Sequence, residues 1–520
     1  MTDAHLTIII GAGHNALVCA NYLARGGQRV LCLEAASGPG GMASHRTFAE
    51  GFEAPFAHAQ FPADANMVEE LALARHGYAP SPPAPTTVLD PQGCTLSAQG
   101  PELSGQGVAA ADADAYRTLR KRFSDFARRL GPVFRQAPPR LKHLSTAELR
   151  SVASLALNVR FGLGREGLRE LLRVAGMNIY DLLDEQFDDD RVKGLLALEA
   201  MQGSAMGPRT PGTVLTWLHR LANARDRSVT VAAGPESCLA SALAKALEAT
   251  GGTVRYGARV QSITTGEAGR ASGVTLDNGE HIAAQTVVSG IDPRGTFEHL
   301  VGLPRLDTEF ARRVTQIRGK GVVAKLHLGL DSLPEFRGVS RQALAGRLLV
   351  APSADYVERA FNPSKYGRIS DAPVLEITVP SLTAPHLAPK GMHVMSINAS
   401  FVPYKAAAEE SSAWREEVQR TVMDTLGQYD GGMPARVTCA DLMTPLDIER
   451  TFGAVGGHWH HGELSMHQSM MLRPLYGAAQ YATPIRGLFL CSAGCHPGGD
   501  VAGTAGSNAA AAILAGKGDA

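Results

Sequence analysis

Gly11, Gly13 and Ala16 stand in the spacing G-x-G-x-x-A directly after the apolar run Leu6 to Ile10, and Glu34 follows at the end of a second apolar stretch. These residue types suit the binding of a dinucleotide. The glycines permit a tight turn and let a pyrophosphate approach backbone N–H groups at a helix N-terminus, where the helix dipole favours negative charge. The third position only has to be small, for close packing of helix on strand, so alanine serves. Glu34, about 20 residues further on, is placed to accept hydrogen bonds from an adenosine ribose, which disfavours NADP. The bland alternative is a glycine-rich turn in an ordinary α/β protein; strand, helix and acid together argue against it. NAD and FAD both satisfy this pattern. The next segment, SGPGGMAS, separates them: Gly40 and Gly41, with Met42 beside them, make a second turn able to meet the far side of a pyrophosphate. An extended FAD requires that element and NAD does not.

Two further clusters could do chemistry. GGHWHHGELSMHQSMMLRP brings His458, His460, His461 and His467 together, which invites a metal reading. The spacing lacks the i, i+4 pair of a helical zinc site, and Glu463 is the one obvious carboxylate nearby, so no metal is predicted. Cys491 and Cys495 could form a redox disulfide beside a flavin. A disulfide reductase would need a second nucleotide domain, and one fingerprint means one dinucleotide. NAD(P)H is therefore not predicted, and a reduced flavin must pass its electrons to oxygen, a quinone or another protein.

The elements that must position these residues can be read in outline. LTIIIGAGHNALVCANYLARGGQRVLCLE reads as strand, turn, helix and strand, the start of a βαβ unit. GPESCLASALAKALEATGG reads as a helix, and the strands behind it return the chain to the same sheet. IRGLFLCSAGCHPGGDVAGTAGSNAAAAILAG reads as a short strand, a glycine-rich loop and a helix of small residues. Between them, residues 105–225 have a helical pattern, with charged runs such as Tyr116 to Arg129 and Leu163 to Leu183. Residues 305–455 hold strand-like segments, Val322 to Leu330 and His393 to Phe401, plus a helix over Ser411 to Tyr429. The expected organisation is an FAD-binding domain in three parts, 1–104, 226–304 and 456–520. A helical cap at 105–225 and a mixed-sheet substrate domain at 305–455 interrupt it.

GAGHNALVCANYLARGG, with GPGGMAS behind it, resembles the N-terminus of the phytoene desaturase family of flavoproteins. The His14–Asn15 pair is similar to the subgroup that contains bacterial desaturase-like proteins and a mitochondrial relative named for a pyridine nucleotide-disulfide oxidoreductase domain. YDLLDEQFDDDRVKGLLALEAMQG, the Thr-Pro-Gly of RTPGT and FVPY extend the resemblance over most of the chain. It implies an α/β fold of the amine-oxidase and phytoene-desaturase type: a Rossmann-like FAD-binding domain with an inserted mixed-sheet substrate domain and a helical cap. It also implies that Gly494, His496, Pro497, Gly498, Gly499 and Val501 meet the flavin. The backbone of Val260 would hold the adenine edge, and Ser289–Gly290 would end a returning strand. His461, in a segment similar to the family's GGNIFHG pattern, would face the flavin as a general base or orienting donor; the alternative is a structural histidine bonded to backbone. His496 is the second catalytic candidate. The chain departs from the family at Ala16 and Asp500, where glycine is usual, at His458 and His467, and in AAGPES, which replaces PxGG.

Composition is compatible with all of this. The 520 residues are enough for two or three domains, and 50 basic residues balance 50 acidic ones, so no global field favours nucleic acid. Seven scattered cysteines do not read as a disulfide framework and point to a reducing, cytoplasmic setting. No signal peptide and no apolar stretch of about 18 residues is recognised, so the membrane contact left open is peripheral, through the cap. The function expected is an FAD-dependent dehydrogenase or desaturase acting on a lipophilic, isoprenoid-like small molecule by hydride transfer to flavin N5. The alternatives are an amine or amino-acid oxidase on the same fold, a flavin-binding protein without turnover, and a nonredox isomerase. The oxidase would need an aromatic cage, for which Trp459, Tyr476 and Tyr481 offer no clear pair. Substrate identity, electron acceptor and oligomeric state lie beyond the sequence.

Overall fold

The computed structural model describes residues 6–140, 146–224, 227–232, 234–266, 269–405 and 409–516; Ala233 of the AAGPES turn lies outside them. The β-branched run of β1 (Leu6–Ile10) leads through Gly11, at φ +89°, into α1 (His14–Arg25). A glycine is needed at that turn because side chains other than glycine seldom adopt positive φ. The chain then returns as β2 (Arg29–Leu33), parallel to β1 with Ile8 opposite Leu31. Helix α2 (Leu239–Ala249) feeds β3 (Thr253–Arg255), and β4 (Thr286–Ser289) and β5 (Leu488–Leu490) complete a parallel sheet in the order β3-β2-β1-β4-β5. Strands far apart in sequence are thus neighbours, and the C-terminal helix α3 (Thr504–Leu514) packs on α1. A Cβ on Gly506 would lie 2.1 Å from the Asn15 carbonyl oxygen, so the small-residue helix is small because it touches α1 backbone.

A three-stranded antiparallel sheet (Val260–Thr265, Ala271–Leu276, His281–Ala283) flanks the nucleotide domain. The second large sheet has eight strands, and its central members Val323–Leu330, His393–Ser400 and Leu375–Thr378 are antiparallel. One face buries Leu326, Leu328, Ile377 and Ile397 in one core with Val418, Val422 and Leu426 of the helix Ser412–Tyr429. The helices Ala110–Phe134, Asp190–Met201 and Thr213–Ala224 form the cap, centred on Phe123 against Trp217 at 4.4 Å between ring centroids.

One boundary differs from expectation. Residues 86–104, assigned above to the nucleotide domain, form the strands Thr86–Val88, Leu96–Gln99 and Glu102–Gly105 at the edge of the eight-stranded sheet. The turns between them are too short for a crossover helix, so they can pair only as antiparallel hairpins. The first of them joins the sheet through the parallel strand Arg347–Val350.

Candidate functional site

A cavity of about 570 Å³ opens at the N-terminus of α1, within the range of small-molecule and cofactor sites. Gly11, Gly13, Gly40 and Gly41 line it, with Met42, Glu34, Val260 and His461. The two glycine turns touch: the Gly40 N–H donates to the Ala12 carbonyl at 2.8 Å, and a Cβ on Gly41 would lie 3.6 Å from the Gly13 Cα. Gly40 has φ +120°, and a Cβ there would meet Ala240 and Ser44 at 3.0–3.1 Å. Gly13 is different, because a Cβ there would meet nothing within 4 Å. Packing therefore does not require glycine at 13, and the bare backbone there is open to the approach of a ligand. The Glu34 carboxylate accepts from Ala12 N at 2.6 Å and Ala36 N at 2.8 Å, which fixes it at the cavity wall with lone pairs to spare. A bare backbone cradle at a helix N-terminus with a fixed acid near it fits an ADP moiety, and the cavity's extension to Trp459, His461 and Ala493 leaves room for the flavin end of FAD.

Several expected contacts stand behind this wall. Ala16 is buried against Gly290, where a Cβ would lie 2.6 Å from the Ala16 Cβ, so both serve the crossing of α1 over the strand ends. Ser289 is buried and bonded to Thr296 at 2.6 Å, and it is Gly290 that lines the cavity. His496, the second catalytic candidate, lines neither cavity described here; its ring stacks on Phe134, and its Nε2 bonds the Val133 carbonyl at 3.0 Å. Gly494, Gly498 and Gly499 pack against Pro293, Arg473 and Leu464 in turn, the last two at φ +83° and +78°. Val501 lines a second cavity. Cys491 and Cys495 are buried free thiols.

The residue that organises the histidine segment was not singled out in the sequence. Arg473 is fully buried and donates to the carbonyls of His460, Glu463 and Ala493 at 3.0 Å and of Gly462 at 3.2 Å. It ties the 458–468 segment to the loop after β5. Burial pushes the guanidinium down to about 10, still charged at neutral pH. Gln468 completes the tie with bonds of 2.9 Å to both the N–H and the carbonyl of Arg318. His461, at φ +51°, reaches the first cavity, and burial with the nearby His14 and Arg473 lowers it to about 3, so it is neutral. His467 is exposed, and among the described residues no three His, Cys, Asp or Glu side chains are grouped to hold a metal.

The second cavity, of about 100 Å³, shares His14, Met42, Phe56, Trp459 and Ala493 with the first. Its far wall is charged, because Lys325, Asn398 and Glu376 are directly opposite one another on adjacent strands. Lys325 Nζ donates to Asn398 Oδ1 at 3.1 Å, and Asn398 Nδ2 donates to Glu376 Oε1 at 3.0 Å. Arg347 Nε donates to Glu376 Oε2 at 2.7 Å, while its other end pairs with Glu199. His58 Nε2 meets Glu376 Oε1 at 3.0 Å. Burial alone would raise the Glu376 carboxyl; the Arg347 charge and the His58 bond hold it well below the usual carboxylate range. Burial pushes the Lys325 ammonium well below its ordinary value, against the pull of Glu376.

The profile of the flavin containing amine oxidoreductases matches residues 17–514. Pyridine nucleotide-disulfide oxidoreductase domain-containing protein 2 of Mus musculus is 30% identical over 98% of this chain and 93% of its own. Hydroxyneurosporene desaturase of Cereibacter sphaeroides is 27% identical over 98% and 97%. Among solved structures, putrescine oxidase bound to putrescine superposes with a TM-score of 0.61 over 99% of both chains at 16% identity, a likeness of fold.

Proposed function

The chain belongs to the flavin containing amine oxidoreductase family, and from that premise we propose that it dehydrogenates a lipophilic, isoprenoid-like small molecule by hydride transfer to FAD. That it is a flavin-dependent oxidoreductase follows from the family. The desaturation reading is supported by the full-length likeness to a carotenoid desaturase. The observation that carries the reading is the wall common to the two cavities: of His14, Met42, Phe56, Trp459 and Ala493, which face both spaces, all but His14 are mostly apolar.

When bound, FAD supplies a two-electron acceptor. The chain's own part is to hold and to shield. The backbone at Gly11, Gly13, Gly40 and Gly41 would take the pyrophosphate, and Glu34 the ribose. Arg473 keeps the loop after β5 against the cavity, and neutral His461 can orient a partner through a lone pair or a ring N–H. An amine oxidase with a cage of Trp459, Tyr476 and Tyr481 is less well supported. Tyr476 packs on Arg313, and the Tyr481 hydroxyl is bonded to the His496 carbonyl at 2.7 Å. Oxygen or a quinone is the acceptor we propose, in the cytoplasm. Exposed Leu149, Leu157 and Phe161 on the helix Thr146–Gly162 and Leu172 on the helix Gly164–Ala175, both within residues 105–225, support peripheral membrane contact, which sedimentation with liposomes tests. No helix among the described residues is long and apolar enough to cross a membrane.

The test is anaerobic mixing of the purified yellow protein with hydroxyneurosporene and, separately, with putrescine. Bleaching of the flavin band by the polyene supports the proposal, and bleaching by the amine alone replaces desaturation with amine oxidation. A protein that neither carries nor takes up FAD sinks both.

A further inference from the structure

The second cavity contains more hydrogen-bonding capacity than a hydrocarbon can use. His58, Gln202, Arg220, Arg347, Glu376 and Asp500 are in its wall. Most of their polar atoms are matched: Glu376 receives His58, Asn398, Arg347 and Gln202. Four are not, counting His460, which is in the same wall. Among the described residues His58 Nδ1, His460 Nδ1, Arg220 Nε and Asp500 Oδ2 are buried without a partner. His58 is the most enclosed of the four, with its side chain 0% exposed.

The tautomer of His58 follows from its neighbour. The Glu376 carboxylate is an acceptor only, so the proton of the neutral ring is on Nε2 and Nδ1 carries a lone pair. The ring stays neutral because burial, reinforced by Lys325, lowers it to about 4 against the pull of Glu376. The charged and titratable groups around it are Lys325 and His327 on one strand, Arg347 on a second and Glu376 on a third. A buried acceptor without a partner is costly, and a site built around one discriminates strongly for ligands that supply a donor.

We propose that the second cavity is the subsite for a hydrogen-bond-donating head group, a hydroxyl or an amine, on an otherwise apolar substrate, and that His58 Nδ1 is the residue that selects it. This deepens the dehydrogenase reading and rests on it only in taking this cavity as the substrate's. Glu376 acts through His58 as a positioning residue, by holding Nε2–H and so leaving the lone pair on Nδ1.

The test uses the FAD-loaded protein and three probes of equal length: hexan-1-ol, hexylamine and methyl pentyl ether, which lacks the donor. Dissociation constants come from perturbation of the flavin absorption band, so no turnover is required. At least one donor probe is expected to bind about 10- to 100-fold tighter than the ether, and whether the alcohol or the amine leads identifies the head group. His58→Gln keeps a donor toward Glu376 but offers no acceptor at the Nδ1 position, so the preference disappears while FAD is retained. His58→Asn keeps an acceptor there and retains the preference. Equal binding of ether and donors by the wild type overturns the proposal, as does failure of every donor probe to perturb the flavin or an unchanged preference in His58→Gln. Should the glutamine variant not fold, the wild-type comparison and the asparagine variant still decide. A protein whose flavin is bleached by the polyene but shows no donor preference loses this inference alone, whereas a protein that binds no FAD loses the functional reading.

Discussion

Lowering the pH from 7.5 to 5.5 should destabilise the folded protein by about 3 kcal/mol or more, because its buried histidines cannot take up protons. His58, His327, His458 and His496 are 0%, 0%, 3% and 0% exposed, and burial is the first cause that lowers each below the ordinary 6.5. His58 and His496 fall to about 4, and the other two go well below their ordinary value. A base with a depressed folded pKa is neutral in the folded state and charges only when unfolded. The unfolded chain therefore binds more protons as the pH falls below 6.5, and stability is lost from there down to the folded pKa. Over this interval each site costs about 1.3 kcal/mol and these four about 5 kcal/mol, and His14, His219, His460 and His461, lowered by burial as well, add in the same sense. Asp292 works in the opposite sense: burial raises its carboxyl to about 7, so its folded form gains the proton first and returns about 2 kcal/mol. The difference is large beside the roughly 5–15 kcal/mol of a typical domain. Urea titrations of the holoprotein at the two pH values, followed by circular dichroism and flavin fluorescence, should give a clearly lower midpoint at pH 5.5. His496→Gln keeps a donor toward the Val133 carbonyl and removes one titrating site, so it should narrow the pH difference by about 1.3 kcal/mol. Equal midpoints in the wild type would refute the account of buried neutral histidines, and an unchanged difference in the variant would refute the share given to His496.

Three substitutions separate cofactor binding from folding. Gly13→Ala adds a methyl where nothing is within 4 Å and at an allowed φ of −66°, so the apoprotein should melt within about 0.5 kcal/mol of wild type while FAD affinity, measured by fluorescence titration, falls at least about tenfold. Gly290→Ala forces a Cβ to 2.6 Å from the Ala16 Cβ and 2.9 Å from the Ile10 carbonyl oxygen; both apo and holo forms should lose about 1–3 kcal/mol in thermal melts. Arg473→Met leaves the carbonyls of His460, Gly462, Glu463 and Ala493 without their buried donor, at a cost of about 3 kcal/mol or more. Limited proteolysis should then cut within 456–475, and FAD should be lost on gel filtration; a protease-resistant variant that keeps FAD would contradict the tie.

The glycine turns were readable because their reasons are local. Gly11 needs a positive φ, Gly13 and Gly41 need bare backbone, and Glu34 follows at a spacing fixed by one strand and one helix. The long strands and the helix Ser412–Tyr429 were readable from periodicity, as was the cap. The charged wall was not. His58, Glu199, Lys325, Arg347, Glu376 and Asn398 come from six separate segments, and no spacing rule joins them; the strand register brings Lys325, Asn398 and Glu376 together, and side-chain bonds hold Arg347, His58 and Glu199 to them. Arg473 was missed for a related reason, since its partners are backbone carbonyls that leave no mark on the sequence pattern. The resemblance put both His461 and His496 beside the flavin; His461 lines the first cavity, while the His496 ring packs on Phe134 and bonds the Val133 carbonyl.

The two cavities also differ in how freely their residues can change. The turn glycines at positive φ, Gly11 and Gly40, are constrained by backbone geometry, so their replacement disturbs the fold as well as the ligand, whereas Gly13 has open space and answers to the ligand alone. Side chains on the cavity face of the eight-stranded sheet can change without breaking a single ladder hydrogen bond. The same parallel sheet and glycine cradle can thus serve unrelated substrates, while the ladder Lys325, Asn398, Glu376 with Arg347 and His58 is the part of the second cavity's wall where, on the proposal above, selectivity would reside. Each charge in that ladder would cost several kcal/mol if its partner were lost, since removing one member leaves the other buried and unpaired. Glu376 has all its neighbours and His58 lacks one. It is therefore the incomplete member of a nearly complete network, more than the apolar wall, that directs the search for a substrate toward molecules with a donor at one end.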